Sequence, residues 1–263
     1  MRVHGDVGNN YPEDPIRFLD FDRYADLGGE LDFFFGDSRS AVRQVPRAGK
    51  RVVFHTEEQN SPNDSTDELV PFVDEILTIC PPAVTHRQKR RSAFFPFNPS
   101  CLPGQRAKLH DVIYCGYAKV DHACNIVETI RQYNYRLVSF GGLLQHVTDV
   151  GVPYSEKLAR IAESRCCVVH NLVSASNPQL KTRAFEAASC GSLMLCLHDS
   201  WNIIEEWFTP GEHFLYVKSA AELRSAIESA AIDWERHEPM VERAREHAMS
   251  NYTVEQFVRR YLQ

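Results

Sequence analysis

The residues best suited to chemistry lie in one stretch, Asn177-Pro178-Gln179-Leu180-Lys181-Thr182-Arg183-Ala184-Phe185-Glu186-Ala187-Ala188-Ser189-Cys190-Gly191. Lys181 and Arg183 stand at the start of a helix-forming run, where free backbone N–H groups and the macrodipole already favour an anion. Glu186 follows Arg183 at i+3, so both can share a helix face. Cations and N–H donors suit phosphoryl oxygens, and a carboxylate one turn further in suits vicinal hydroxyls; a diphosphate joined to a ribose needs both. A solvated helix start with an internal Arg183–Glu186 pair has the same spacing, and spacing alone leaves both readings open. Lys plus Arg number 29 against 35 Asp plus Glu, a net charge of -6. The chain as a whole is therefore not built to coat duplex nucleic acid or an anionic membrane, and an anion site must be local.

The elements that must position this stretch are those of an α/β protein. Short apolar, β-branched runs alternate with segments of helical period, the pattern of a parallel sheet covered by helices. In the second half Val112 to Cys115, Arg136 to Phe140, Cys166 to His170, Leu193 to Leu197 and His213 to Val217 read as strands. Helices are expected near Ala123 to Tyr133, Ser155 to Glu163, Thr182 to Cys190, Asn202 to Phe208 and Ala220 to Ala231. Ser219 with Glu222 makes a capping box, and Gly191 stands where a helix-terminating glycine belongs. This half predicts a doubly wound sheet.

In the first half Arg2 to Val7, Leu31 to Phe35, Arg51 to His55 and Glu75 to Ile79 read as strands of a smaller α/β domain. The halves are joined by the basic run His86-Arg87-Gln88-Lys89-Arg90-Arg91 and a proline-rich segment through Pro96, Pro99 and Pro103, which forbids a helix. The expected domains are 1–105, 106–245 and a C-terminal amphipathic helix in 246–263, with Phe257, Val258, Tyr261 and Leu262 on its apolar face. A composition of 43% hydrophobic and 24% charged residues excludes collagen, coiled coil and wholesale disorder. With no apolar run of about 18 residues and no signal-peptide core at the start, a cytoplasmic protein without a transmembrane segment is expected. The eight cysteines are scattered, without a C-x-x-C pair, and are expected as buried thiols; adjacent Cys166 and Cys167 point to opposite faces of a strand and make a poor zinc site.

Lys181 to Gly191, the apolar Ser192-Leu193-Met194-Leu195-Cys196, and Trp201-Asn202-Ile203-Ile204-Glu205-Glu206-Trp207-Phe208-Thr209-Pro210-Gly211-Glu212-His213 together resemble the sugar-nucleotide-binding domain of GT-B glycosyltransferases, notably the group 1 and CgeB-like branches. The likeness runs from Val112 to Ala231. It implies two Rossmann-like domains with the active site in the cleft between them, the N-terminal one short. It also implies transfer of a hexosyl or deoxyhexosyl group from a nucleoside-diphosphate sugar to a hydroxyl acceptor, whether glycan, lipid-linked or small molecule, as in glycan biosynthesis. Glu186 is then expected on the donor ribose and Arg183 and Lys181 on the diphosphate. Gly116 and Lys119, with His122, are expected at the phosphates after the domain's first strand, and Gly141 and Gly142 near the base.

Departures from the pattern shape the rest. Retaining members of group 1 carry a second glutamate where this chain has Pro178, so an inverting transfer is favoured. The segment Gly116 to His122 lacks the arginine that commonly accompanies its lysine. The first half is short for an acceptor domain, so the acceptor side is expected to be either trimmed or completed by a partner chain. Helix N-terminus and cations offset the diphosphate charge, and neither metal nor other cofactor is expected. The general base of an inverting transfer is sought at strand ends of the first domain, where Asp6, Glu57, Asp37 and His55 are candidates in that order. Arg87, Lys89, Arg90 and Arg91 are read as a solvated linker or helix face, or as a contact for an anionic acceptor. A non-catalytic nucleotide-sugar or glycan-binding subunit, or a nucleotide-sugar epimerase or hydrolase, is the competing reading.

Overall fold

A computed structural model describes residues 1–5, 19–35, 39–55, 65–79, 88–116, 121–139, 146–174 and 177–263. Two parallel sheets organise them. The first contains β1 (Arg2–Gly5), β2 (Leu31–Phe35), β3 (Lys50–His55), β4 (Glu75–Thr78) and β5 (Arg90–Ser92) in sequential order. In the second are β6 (His110–Cys115), β7 (Tyr135–Ser139), β8 (Asp149–Val150), β9 (Ser164–Val169), β12 (Leu193–Leu197) and β13 (Phe214–Val217). A small antiparallel ribbon of β10 (Leu172–Ser174) and β11 (Asn177–Pro178) follows β9.

The second sheet has the order β13-β12-β9-β6-β7-β8. The chain builds outward from β6 to β8, then returns to lay β9, β12 and β13 on the other side of β6, as in the dinucleotide-binding Rossmann arrangement. Its central strands β6, β9 and β12 are apolar over most of their length because both faces are covered there. On one face Val112, Tyr114, Cys166, Val168 and Leu195 pack under the helices Asp121–Ile130 and Ala220–Ile232. On the other Ile113, Cys115, Cys167, Val169 and Cys196 pack under Tyr154–Ala162 and Thr182–Ser189. Cys166 and Cys167 thus lie on opposite faces, and burial pushes the thiols of Cys115, Cys166 and Cys190 up to about 12.

Local signals end the elements where expected. Gly191 adopts φ 73 after Thr182–Ser189, a left-handed conformation that glycine takes without steric cost. Ser219 Oγ accepts the Glu222 N–H at 3.1 Å, and Glu222 accepts the Lys218 N–H at 2.8 Å.

Several elements depart from expectation. The Asn202 to Phe208 region is only a 3-10 turn at Ile203–Glu206. A long helix, Trp234–Asn251, covers residues 234–245, where no element was expected, and the start of the expected C-terminal helix, with Pro239 in its first half. The basic linker contains β5, which pairs with β4 as an edge strand. There Arg90 meets Asp67 at 3.0 Å, Lys89 donates to the Val70 and Val73 carbonyls, and Arg91 lies over the Tyr261 ring.

One continuous core joins the sheets. The helix Val254–Tyr261, capped by Thr253, packs Phe257 against Phe54, Phe94, Phe33 and Phe21 at ring separations of 5.1, 5.4, 5.9 and 5.8 Å. Phe97 and Thr253 form a parallel bridge between the proline-rich connection and the chain end.

Candidate functional site

A doubly wound sheet binds ligands beyond the carboxyl ends of its strands, at the point where strand order reverses. Here that point lies between β6 and β9. Gly116 follows β6 with φ 150, and His170 follows β9. Arg183, in the first turn of Thr182–Ser189, spans the two: its Nη1 donates to the His170 carbonyl at 3.3 Å and its guanidinium lies 5.0 Å over the Tyr114 ring. A Cβ on Gly116 would come within 2.5 Å of Arg183 Nη2. The chain positions 116 and 183 are thereby brought together, and the missing side chain at Gly116 leaves the guanidinium its place.

Lys181 precedes the helix as its N-cap, without a side-chain capping bond. Its backbone N–H donates to Asn171 Oδ1 at 3.3 Å, and its ammonium pairs with Gln179 Oε1. The segment is also tied to the first sheet, because the Leu180 N–H donates to the Ile79 carbonyl at 2.9 Å, just past the end of β4. The carboxyl ends of both sheets meet there. His55 closes β3 on that edge, opposite Thr78, and is buried.

Glu186 does not pair with Arg183. Its Oε1 accepts the Tyr154 hydroxyl and the Lys157 ammonium, each at 2.8 Å, and its Oε2 lies 2.7 Å from the same ammonium. That last contact is ionic: among the described residues no donor is aligned on Oε2 as a hydrogen bond. Both partners come from Tyr154–Ala162, and Lys157 and Glu186 are each 2% exposed. Neutral Cys115 and Cys167 lie under the pair in the sheet, their thiols raised by burial. Lys157 was not anticipated, although Tyr154, Lys157, Leu158 and Ile161 fall at the i, i+3, i+4, i+7 spacing of a buried helical stripe. A lysine on such a stripe demands a partner, because a charge is buried only when paired.

In the segment that carried the sequence resemblance, Ile203, Ile204, Trp207 and Phe208 are core. Trp207 and Phe208 pack on Phe185 at 6.3 and 5.6 Å, and Tyr252 closes the cluster 5.1 Å from Phe185. Asp6, Asp37, Glu57, Lys119, Gly141 and Gly142 lie outside the described residues, as does the side chain of His122. The sequence also holds an Asp-x-Asp, a common metal-chelating pair, at Asp20-Phe21-Asp22. It begins a 3-10 turn with Phe21 in the core, and among the described residues no three His, Cys, Asp or Glu side chains converge as metal ligands. A separate cleft of about 710 Å³, bordered by Arg106, Lys108, Arg165 and Trp234, opens at the edge where β6 and β9 begin. Its Lys108 ammonium is spent on the Ala162, Ser164 and Gly191 carbonyls.

Among the described residues no helix is long and apolar enough to cross a membrane. The model of a family described as glycosyl transferase-like matches residues 122–263. No curated protein matches the chain. Among solved structures, sucrose-phosphate synthase from Thermosynechococcus elongatus aligns over 90% of this chain and 73% of its own, at 15% identity and a TM-score of 0.60. HepE from Anabaena in complex with UDP-glucose aligns over 87% and 77% at 12% identity and 0.60. AviGT4, a glycosyltransferase involved in avilamycin A biosynthesis, aligns over 95% and 76% at 13% identity and 0.57. At these identities the likeness establishes the fold, two Rossmann-like domains of GT-B type.

Proposed function

The chain belongs to the glycosyl transferase-like family, and from that premise we propose that it moves a hexosyl or deoxyhexosyl group from a nucleoside-diphosphate sugar to a hydroxyl acceptor. The observation that carries the reading is Arg183 lying at the reversal of strand order, against Gly116 and the His170 carbonyl. A guanidinium and a helix N-terminus there offset the charge that grows on a leaving diphosphate. Lys181 and Lys119 add further positive charge there, Gly141 and Gly142 border the base, and Glu186 takes the ribose. Glu186 is 2% exposed, so nucleotide binding requires the cover over Oε2 to move aside. UDP is the first nucleotide to try, because HepE was solved with UDP-glucose.

In this reading residues 106–245 hold the donor, residues 1–105 present the acceptor, alone or with a partner chain, and 246–263 join the two. The acceptor is a glycan, lipid-linked or small-molecule hydroxyl. Transfer inverts the anomeric centre, with a base among Asp6, Glu57, Asp37 and His55, and needs no metal. The test is a thermal-shift panel of UDP, GDP, dTDP, ADP and CMP-linked forms and their sugars. A ligand at 100 times its dissociation constant stabilises by about 2.7 kcal/mol. A shift with one base supports the donor site; no shift in folded protein overturns it. Turnover in EDTA checks the metal-free reaction, and activity lost to EDTA and restored by Mn²⁺ or Mg²⁺ refutes it.

A further inference from the structure

The Lys157–Glu186–Tyr154 group is more elaborate than a helix-to-helix clasp requires. A carboxylate offers about four acceptor directions. Two on Oε1 are taken by Tyr154 and Lys157, while Oε2 has an ionic neighbour and no aligned donor among the described residues. The ammonium also cancels the carboxylate's charge. A bare carboxylate would repel a diphosphate held nearby, and in a poorly screened interior that repulsion is large. With Lys157 in place, Glu186 adds no net negative charge beside the cations of Arg183 and Lys181 at the helix start.

We propose that Lys157 and Tyr154 are positioning residues that turn Oε2 of Glu186 toward a single nucleotide hydroxyl, so that this chain's preference for a ribose over a sugar lacking its hydroxyls depends on Lys157. The proposal rests on the reading of Glu186 as the ribose acceptor. Tyr154 and Lys157 lie one turn apart on the same helix and hold Oε1 from two directions, so the carboxyl plane cannot rotate freely. A ribose hydroxyl then donates to Oε2, on which no donor among the described residues is aligned as a hydrogen bond, the Lys157 ammonium being its ionic neighbour. Nothing in this role requires Lys157 to touch the nucleotide.

The experiment compares dissociation constants, by calorimetry, of UDP, GDP and ADP with those of their 2′,3′-dideoxy analogues. The proteins are the wild type, Lys157→Met, Lys157→Arg and Tyr154→Phe, each checked for native near-ultraviolet circular dichroism. The wild type is expected to favour the ribonucleotide about tenfold or more, about one hydrogen bond in affinity. Lys157→Met is expected to bring the ratio to within about twofold, and Lys157→Arg to restore most of it, since the arginine keeps the charge and the donors. A merely structural lysine would weaken both nucleotides equally and leave the ratio unchanged, which overturns the proposal. No preference in the wild type, or no binding of any of the three, instead overturns the placement of ribose at Glu186. Should Lys157→Met not fold, Tyr154→Phe decides: a reduced ratio supports positioning and an unaltered ratio refutes it.

Discussion

Arg183 fits against Gly116 because position 116 has no side chain: a Cβ there would lie 2.5 Å from Nη2 and 3.0 Å from Cζ. The two residues stand on opposite sides of the strand-order reversal, one just after β6 and the other opening the helix that follows β11. Gly116 is also held at φ 150, so an alanine would be strained even after the guanidinium moved. Gly116→Ala is expected to cost about 1 to 3 kcal/mol of stability, read by urea denaturation, and to weaken nucleoside-diphosphate binding further by dislodging Arg183. Binding that drops no more than stability does would separate Gly116 from the site.

The buried Lys157–Glu186 pair makes a prediction independent of any ligand. Removing one partner strands the other charge, so Glu186→Leu or Lys157→Met alone is expected to cost about 3 to 5 kcal/mol, whereas the double replacement recovers most of it. A double-mutant cycle by chemical denaturation measures this. Additive single losses would show that the two side chains do not depend on each other.

Acidification should loosen the joint between the Trp207–Glu212 segment and the Trp234–Asn251 helix. His213 Nδ1 accepts the Thr209 N–H at 3.0 Å, and its ring stacks on His247 at 4.5 Å, with Glu212 and Arg243 nearby. Burial, then the His247 ring, holds the His213 pKa below the ordinary histidine value; burial lowers that of His237 too. A histidine with a depressed folded pKa contributes stability that is present above its unfolded value, about 6.5, and lost as pH falls through the folded one. The Tm is expected to fall below about pH 6.5, and His213→Asn, which keeps an acceptor for Thr209 but cannot titrate, to flatten that fall. An identical pH profile for the variant would remove His213 as a cause.

Phe257 carries the contact between the C-terminal helix and the first sheet, with rings of Phe21, Phe33, Phe54, Phe94 and Tyr261 within 6 Å. Phe257→Ala should cost about 3 to 5 kcal/mol through the cavity it leaves, seen as a lower urea midpoint. A loss below about 1 kcal/mol would mean that the surrounding rings collapse into the space.

Much of the fold around the second sheet was legible because its signals are local. Apolar runs such as Leu193 to Leu197 announce a strand covered on both faces, Gly191 announces a helix end, and Ser219 with Glu222 announces a helix start, whatever else the chain does. Edge strand β5 was not legible: at the rim of a sheet backbone pairing suffices, and Arg90-Arg91-Ser92 looks like solvated surface. The Trp234–Asn251 helix was hidden by a polar sequence and by Pro239, which removes a helical donor without preventing the helix. Its burial comes from Val241, Ala244 and Ala248 lying under neighbouring elements.

At the site, sequence alone determined which residue types stand where: cations ahead of the Thr182–Ser189 helix, a carboxylate one turn in, and a glycine after β6. Tertiary structure decided their partners. Whether Glu186 pairs with Arg183 three positions away or with Lys157 at a separation of 29 depends on which helices lie side by side on the sheet. That choice follows the order in which the strands are laid down, so no local spacing encodes it. For the same reason the contact of Gly116 with Arg183 exists only once β6 and β9 are neighbours.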